Sequence, residues 1–317
     1  MFETPLGIAI FVLLCILAAA ILIIAPIYAV AYILLVIHLK RTKKSKWKGV
    51  VPSDNAVQNA MYGEGFEWSL KNKQYKKDLH IVNEGINLYG EYYDFGYDKA
   101  LIFISGRTES HVYWYYFSDP YPESGFNVLV IDQRAHGKSD GKYNTLGYEE
   151  HKDILCWAKF LHEEYGVKNI VLHGICIGSS CALMTLTSPN CPDYIGGMIA
   201  EGMYPNFSES FKNHMIELKK PIHPVLEMVD QWFKLITGHS MRVGNIDIIH
   251  KLKKPILMLH SREDAYSLPV MAQILYDKIP HENKKLAWFE YGKHSHLRPE
   301  NKQKYDGEIK EFLSKYF

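Results

Sequence analysis

The segment Gly174-Ile175-Cys176-Ile177-Gly178 has the residue types and the spacing of a nucleophile elbow, with a cysteine at its centre. In the usual motif, G-x-S-x-G, the nucleophile stands on a sharp turn between a strand and a helix, and the glycines let the two elements approach each other. A cysteine in that place would attack an acyl carbonyl and form a thioester. As an isolated residue, it would equally be a small buried side chain.

Two further groups that such chemistry needs follow the cysteine in the order acid, then base. Asp264 follows the apolar run 255–261, where a carboxylate can orient and stabilise an imidazolium. His294 follows the run 285–292 and is the predicted base, with His296 as the alternative. Each residue alone would be an ordinary loop residue, but their occurrence in this order, each after a predicted strand, favours a catalytic site.

Short, wholly apolar runs alternate with helical patterns over the rest of the chain, as is typical of strands covered on both faces. A predicted hairpin (78–83 and 86–94) precedes them, and residues 147–166 show helical spacing. This alternation predicts a mostly parallel sheet with helices on both faces. Residues 203–252 do not fit it and are predicted to form a helical insertion above the sheet. The predicted strands are 99–105, 126–132, 169–174, 196–202, 255–261 and 285–292.

With these features in place, the chain resembles the α/β-hydrolase superfamily over roughly residues 77–317, and within it the serine aminopeptidase (S33) and monoacylglycerol-lipase-like branch. The segment DQRAHGKSDG (132–141) is similar to the D-x-R-G-H-G-x-S loop of that branch. The resemblance implies an α/β-hydrolase fold with Cys176 as nucleophile, Asp264 as acid and His294 as base. Dienelactone hydrolases, in the same superfamily, also carry a cysteine at the elbow.

The resemblance also implies an oxyanion hole built from two backbone N–H groups. One would come from Ile177, directly after the nucleophile. The other would come from Arg107, where the sequence has Ser-Gly in place of the usual His-Gly of the family. In the 132–141 loop, Ala135 replaces a family glycine, and His136 is predicted to be a structural turn residue.

The N-terminal region has no charged residue from Leu6 to Ile37. As a helix this run would be about 48 Å long, which exceeds the roughly 30 Å core of a bilayer. It therefore predicts one membrane-spanning helix, whose extra length tilt, a kink at Pro26 and interfacial positions for Tyr28 and Tyr32 would accommodate.

Six basic residues lie in the following segment KRTKKSKWK (40–48). The positive-inside rule places this flank, and hence the catalytic domain, in the cytoplasm, with a short N-terminal tail outside. The predicted organisation is a membrane anchor (1–39), a basic juxtamembrane linker (40–76) and an α/β-hydrolase domain (77–317).

The composition excludes several other classes of function. A formal net charge of +1 gives no field suited to nucleic acid. The five cysteines include no C-x-x-C pair, so neither a disulfide framework nor a zinc site is indicated, and no metal or organic cofactor is implied. The oligomeric state is left open.

These features predict a membrane-anchored hydrolase that uses Cys176 on a small-molecule acyl ester or thioester. The partners are then the bilayer and a lipid-like substrate whose acyl chain is bound by apolar residues of 203–252. Two alternatives remain open: a non-catalytic binding or scaffold protein that keeps the fold, and an aminopeptidase-type hydrolase.

Overall fold

The computed structural model of the chain describes residues 4–43 and 56–317, so residues 44–48 of the predicted basic flank lie outside the described residues. The helices are α1 (Pro5–Leu39), α2 (Ala56–Lys71), α3 (His111–Trp114), α4 (Pro120–Glu123), α5 (Glu150–Tyr165), α6 (Ile177–Thr187), α7 (Phe207–Glu217), α8 (Val225–Thr237), α9 (Asn245–Ile248), α10 (Pro269–Lys278) and α11 (Leu297–Tyr316). The strands are β1 (Lys76–Asn83), β2 (Ile86–Tyr93), β3 (Lys99–Ile104), β4 (Asn127–Ile131), β5 (Asn169–Ile175), β6 (Ile195–Glu201), β7 (Ile256–Ser261) and β8 (Lys284–Phe289).

The eight strands form one sheet in the order β1-β2-β4-β3-β5-β6-β7-β8. The hairpin β1–β2 is antiparallel and joins β4 in antiparallel fashion, whereas β4, β3 and β5 to β8 run parallel. The predicted hairpin and mostly parallel sheet are thereby confirmed. Because parallel strands point the same way, the loops after β3, β5, β7 and β8 meet at one edge, where such sheets bind ligands.

Apolar side chains pack on both faces of the sheet, which explains why β3, β4 and β5 are almost wholly apolar. One core brings α5, α6 and α10 against the sheet, with Trp157 fully buried at its centre. The other brings α2, α3 and α11 against the opposite face, with Trp114 and Tyr305 fully buried.

The sequence predicts that residues 40–76 form a linker, but residues 56–71 are folded against the domain. Residues 56–71 form α2, in which Met61, Tyr62 and Trp68 are buried. Trp68 packs on Tyr93 of β2 with ring centroids 4.8 Å apart. The folded domain therefore begins before residue 77, because α2 covers one face of the sheet.

Helices α7, α8 and α9 lie between β6 and β7, where the sequence predicts a helical insertion, and are called the lid below. Helix α7 begins at an N-cap, Asn206, whose side chain accepts a hydrogen bond from the backbone N–H of Glu209 at 3.0 Å. The lid core is apolar, with Leu226, Val229 and Phe233 of α8 buried.

Among the described residues, α1 is the one helix long and apolar enough to cross a membrane. Its 35 residues would be about 52 Å long, and the helix continues through Pro26. The C-terminal part of α1 packs on the lid, and Ala31, Leu35 and Leu39, which are spaced four residues apart, are buried. The part before Ile27 would be about 33 Å long, close to a bilayer core of about 30 Å. The lid thus covers the part of α1 that exceeds the length needed to cross a bilayer core.

Aromatic residues fix this contact between α1 and α8. The indole N–H of Trp232 donates a hydrogen bond to the carbonyl of Tyr28 at 3.0 Å, and the Tyr28 hydroxyl donates to Gln231. The ring of Tyr32 lies 5.1 Å from that of Trp232. The two tyrosines predicted to occupy the membrane interface therefore contact the lid.

Candidate active site

Cys176 lies on a sharp turn between β5 and α6, in the position that the sequence predicts. Its φ of 56° and ψ of −116° are strained for a residue with a side chain. The two flanking glycines permit this turn, because a Cβ atom at Gly174 would lie 2.2 Å from Gly178 and one at Gly178 would lie 2.0 Å from the carbonyl of Ile104. This turn places Cys176 at the N-terminus of α6, where it is half-buried and lines a pocket.

Asp264 and His294 meet at the same edge of the sheet, in the loops after β7 and β8. The Nδ1 atom of His294 lies 2.7 Å from Oδ2 of Asp264. The other carboxylate oxygen accepts hydrogen bonds from the backbone N–H groups of Tyr266 and Ser267, at 2.9 and 2.7 Å. Burial alone would raise the pKa of Asp264, but His294 and the Ser267 N–H hold it below its usual value.

His294 and Cys176 line the same pocket and lie close enough for their charges to interact, so the structure brings the three predicted residues together. Burial alone would lower the pKa of His294, but the Asp264 carboxylate and the neighbouring Cys176 side chain raise it well above its usual value. This arrangement is suited to moving a proton between sulfur and imidazole while the carboxylate stabilises the imidazolium.

The alternative base, His296, is not brought to the acid. Its Nδ1 atom lies 2.8 Å from the backbone carbonyl of His294. Its buried Nε2 atom has no hydrogen-bond partner among the described residues. The geometry therefore favours His294 over His296 as the group that contacts Asp264.

The two backbone N–H groups predicted for the oxyanion hole belong to the start of α6 and to the loop after β3. Ile177 begins α6, so its N–H belongs to a first turn that has no intrahelical acceptor. Arg107 and Gly106 lie in the loop after β3 and line the same pocket as Cys176. The described residues contain no group of three or more His, Cys, Asp or Glu side chains placed to hold a metal ion.

His136 positions the Arg107 loop, a contact that the sequence alone did not reveal. Its Nε2 atom lies 2.5 Å from the carbonyl oxygen of Arg107, and its Nδ1 atom lies 3.0 Å from the carbonyl of Arg134. Ala135 has a φ of 64°, in the left-handed region that favours the glycine of the related loops. The turn thus accepts strain at Ala135 and presents His136 to the neighbouring loop.

A pocket of ≈ 110 Å³ covers Cys176. Its lining includes lid residues Phe207, Phe211 and His214, together with Glu109 from the loop after β3. Among the described residues, the buried Oε2 atom of Glu109 has no hydrogen-bond partner. The pocket therefore combines two aromatic rings from the lid with a carboxylate from the loop after β3.

Residues 99–221 match the family described as the α/β hydrolase fold. The Pyrococcus furiosus esterase Pf2001 has a similar structure, with a TM-score of 0.65 at 22% identity over 86% of this chain and 98% of that one. The chain has the α/β-hydrolase fold. The resemblance predicted from the sequence is confirmed at this level.

Curated relatives are similar over part of the chain. The Bacillus subtilis protein YqkD is 30% identical over 60% of this chain and 62% of its own length. The lysophosphatidylserine lipase ABHD12 of Danio rerio is 25% identical over 48% of this chain and 39% of its own. The matched region therefore spans less than two thirds of either relative.

Glu201, at the end of β6, lies next to Cys176 in this α/β-hydrolase fold, and the sequence patterns did not predict its position there. Its backbone carbonyl accepts a hydrogen bond from the N–H of Cys176 at 2.9 Å. Its fully buried carboxylate accepts one from the Tyr305 hydroxyl at 2.7 Å. Burial raises the pKa of Glu201 to about 7, despite that hydrogen bond. A lone carboxylate at the end of an apolar strand was the signal available in the sequence.

Proposed function

We propose that this chain is a membrane-anchored hydrolase that cleaves acyl ester or thioester bonds through Cys176, His294 and Asp264. The proposal rests on one observation: Asp264 hydrogen-bonds His294, which lines one pocket together with Cys176 on its strained elbow. We place it in the serine aminopeptidase and monoacylglycerol-lipase-like branch, with a thiol in place of the serine hydroxyl.

In the proposed reaction, Nε2 of His294 accepts the thiol proton of Cys176, and the sulfur attacks the acyl carbonyl carbon. The N–H groups of Ile177 and Arg107 stabilise the negative charge that develops on the carbonyl oxygen. The imidazolium then gives its proton to the leaving alcohol or thiol. Water activated by the same imidazole hydrolyses the thioester on Cys176, while Asp264 holds the ring in place.

The lid supports a lipid-like substrate over a charged one. Phe207 and Phe211 form the apolar side of the pocket over Cys176. The lid also exposes Ile216, Leu218 and Leu235, which are 52, 52 and 74% accessible. Exposed apolar residues beside a helix suited to a membrane indicate a surface that contacts lipid. The lipase and esterase names of similar proteins agree with an acyl substrate.

A series of p-nitrophenyl esters from two to twelve carbons tests the proposed activity on the full-length protein in vesicles. Each buried methylene contributes about 0.8 kcal/mol, so kcat/KM should rise severalfold for each two-carbon extension until the apolar space is full. A rate that peaks at acetate would contradict the lipid-like substrate and favour a small-ester hydrolase.

An aminopeptidase-type hydrolase is the second candidate, and Glu109 is the observation that favours it. A carboxylate oxygen without a partner in the described structure, beside the oxyanion loop, is suited to pairing with a substrate ammonium group. Aminoacyl p-nitroanilides assayed alongside the esters distinguish the two. Faster turnover of these amides than of any ester, lost in Glu109→Gln, would favour this candidate.

We also propose that α1 spans the bilayer with the catalytic domain in the cytoplasm, as the six basic residues of 40–48 indicate. A reporter fused after Phe317 should be active when it requires a cytoplasmic location, and a reporter that requires export should be silent. The opposite pattern would contradict the proposed orientation, and activity of the fusion in the soluble fraction would contradict the anchor.

A further inference from the structure

A second cavity, of ≈ 300 Å³, lies between α1 and the lid. This volume is at the lower end of the roughly 300–1,000 Å³ range of ligand pockets. Val30, Leu34 and His38, on one side of α1, form one wall. Its other wall comes from α7 and the segment that leads into α8. Most of this wall is apolar (Phe211, Met215, Leu218, Pro221 and Val225), and it also includes His214 and Lys220.

The inner end of this cavity adjoins the candidate active site. Phe211 and His214 line both the cavity and the pocket over Cys176. The ring of His38 lies 5.3 Å from that of Phe211 and 6.0 Å from that of His214. A side-chain contact joins His38 to Arg107, whose backbone N–H belongs to the proposed oxyanion hole. An acyl group at Cys176 therefore has an apolar space next to it.

The outer end of the cavity lies on an apolar surface. The wall from His38 to Val30 extends about 12 Å along α1, toward the end of the helix proposed to lie in the bilayer. Val30 is 48% accessible and Leu218 is 52% accessible. The cavity thus lies between residues that also line the pocket over Cys176 and the part of the surface that contacts lipid in the proposed orientation.

We propose that this cavity binds the acyl chain of a membrane lipid, which enters from the bilayer, and that the anchor helix itself forms one wall of the substrate site. The inference rests on the proposed function. The occupant is an acyl chain of about eight carbons or more, because the α1 wall is about 12 Å long, most of the lining is apolar, and Phe211 and His214 also line the pocket over Cys176. A lipid bound only for structure, or a helix from a second copy, would leave the chain-length preference independent of the α1 wall.

The test places bulk on the α1 wall of the full-length protein in phosphatidylcholine vesicles. Leu34→Trp fills the middle of the cavity, and Val30→Trp narrows its outer end. We expect Leu34→Trp to lower the ratio of kcat/KM for p-nitrophenyl dodecanoate to that for the butyrate at least tenfold. Val30→Trp should move the optimum to a shorter chain. Because Val30 is largely exposed, the second variant avoids the folding defect that a buried tryptophan can cause.

Ile33→Trp is the matched control, since Ile33 is 54% accessible and does not line the cavity. It adds the same side chain to the same helix and should keep the wild-type ratio. If the wild-type enzyme hydrolyses both esters and both cavity variants keep its ratio, this inference is wrong and the proposed function stands. If the wild-type enzyme hydrolyses neither ester, the proposed function is wrong as well.

Discussion

Cys176→Ala should abolish ester hydrolysis, lowering kcat by at least about four orders of magnitude, as expected for the loss of a covalent nucleophile. No other thiol takes its place among the described residues: Cys176 alone stands on the elbow, in the pocket that His294 also lines. The measurement is single-turnover and steady-state hydrolysis of the preferred p-nitrophenyl ester. Intact-protein mass spectrometry should detect the acyl adduct on the wild-type protein and not on the variant.

Two controls sharpen this result. Cys156→Ala and Cys191→Ala remove half-buried thiols outside the pocket and should leave turnover unchanged. Cys176→Ser should retain part of the activity, because the base and the oxyanion donors remain while the better nucleophile is lost. Full activity in Cys176→Ala would end the thiol mechanism.

The same protein tests the non-catalytic alternative. A limiting amount of iodoacetamide should label Cys176 first if its thiol is activated by His294. Preferential labelling of another cysteine, together with no turnover of any ester or amide, would favour a binding or scaffold protein that keeps the fold.

His294→Ala should lower kcat by several orders of magnitude, because no other imidazole in the described structure both hydrogen-bonds Asp264 and lines the pocket with Cys176. His296→Ala is the matched control, since its ring bonds the backbone of His294 instead of the acid. We expect it to change kcat much less. Both variants are measured with the same ester, together with their thermal unfolding midpoints.

The outcome that would correct this assignment is specific. If His296→Ala is inactive and His294→Ala is active, the base is two residues further along the loop. Asp264→Asn adds a graded comparison, because it keeps the shape of the acid and removes the charge that stabilises the imidazolium. Its kcat should fall by up to about 10⁴-fold.

The sheet was predictable because its strands are buried on both faces, so β3, β4 and β5 read as short apolar runs. Helix α2 was not, because Gly63 and Gly65 interrupt its pattern and glycine disfavours helix. The structure explains Gly65: a Cβ atom there would lie 2.9 Å from the backbone nitrogen of Tyr116. Close packing of α2 against Tyr116 thus requires a glycine at position 65, and this glycine weakens the helical pattern in the sequence.

Some features of the candidate site were likewise predictable from the sequence, and others were not. Cys176, Asp264 and His294 were predictable because each follows a strand, and parallel strands end at one edge. The contacts of His38 with Arg107 and of His136 with the Arg107 carbonyl join segments far apart in the chain. No periodicity or spacing encodes such contacts, so they required the structure.

The chain directly after α1 is hydrogen-bonded to the domain. Lys40 pairs with Tyr143 in an isolated β-bridge, and the guanidinium of Arg41 donates to the carbonyls of Gly137 and Ser139, each at 2.6 Å. In the proposed arrangement, the membrane-anchored enzyme encounters a lipid substrate by diffusion in two dimensions. Its rate then follows the surface mole fraction of substrate, so diluting the bilayer with inert lipid slows turnover at constant bulk concentration.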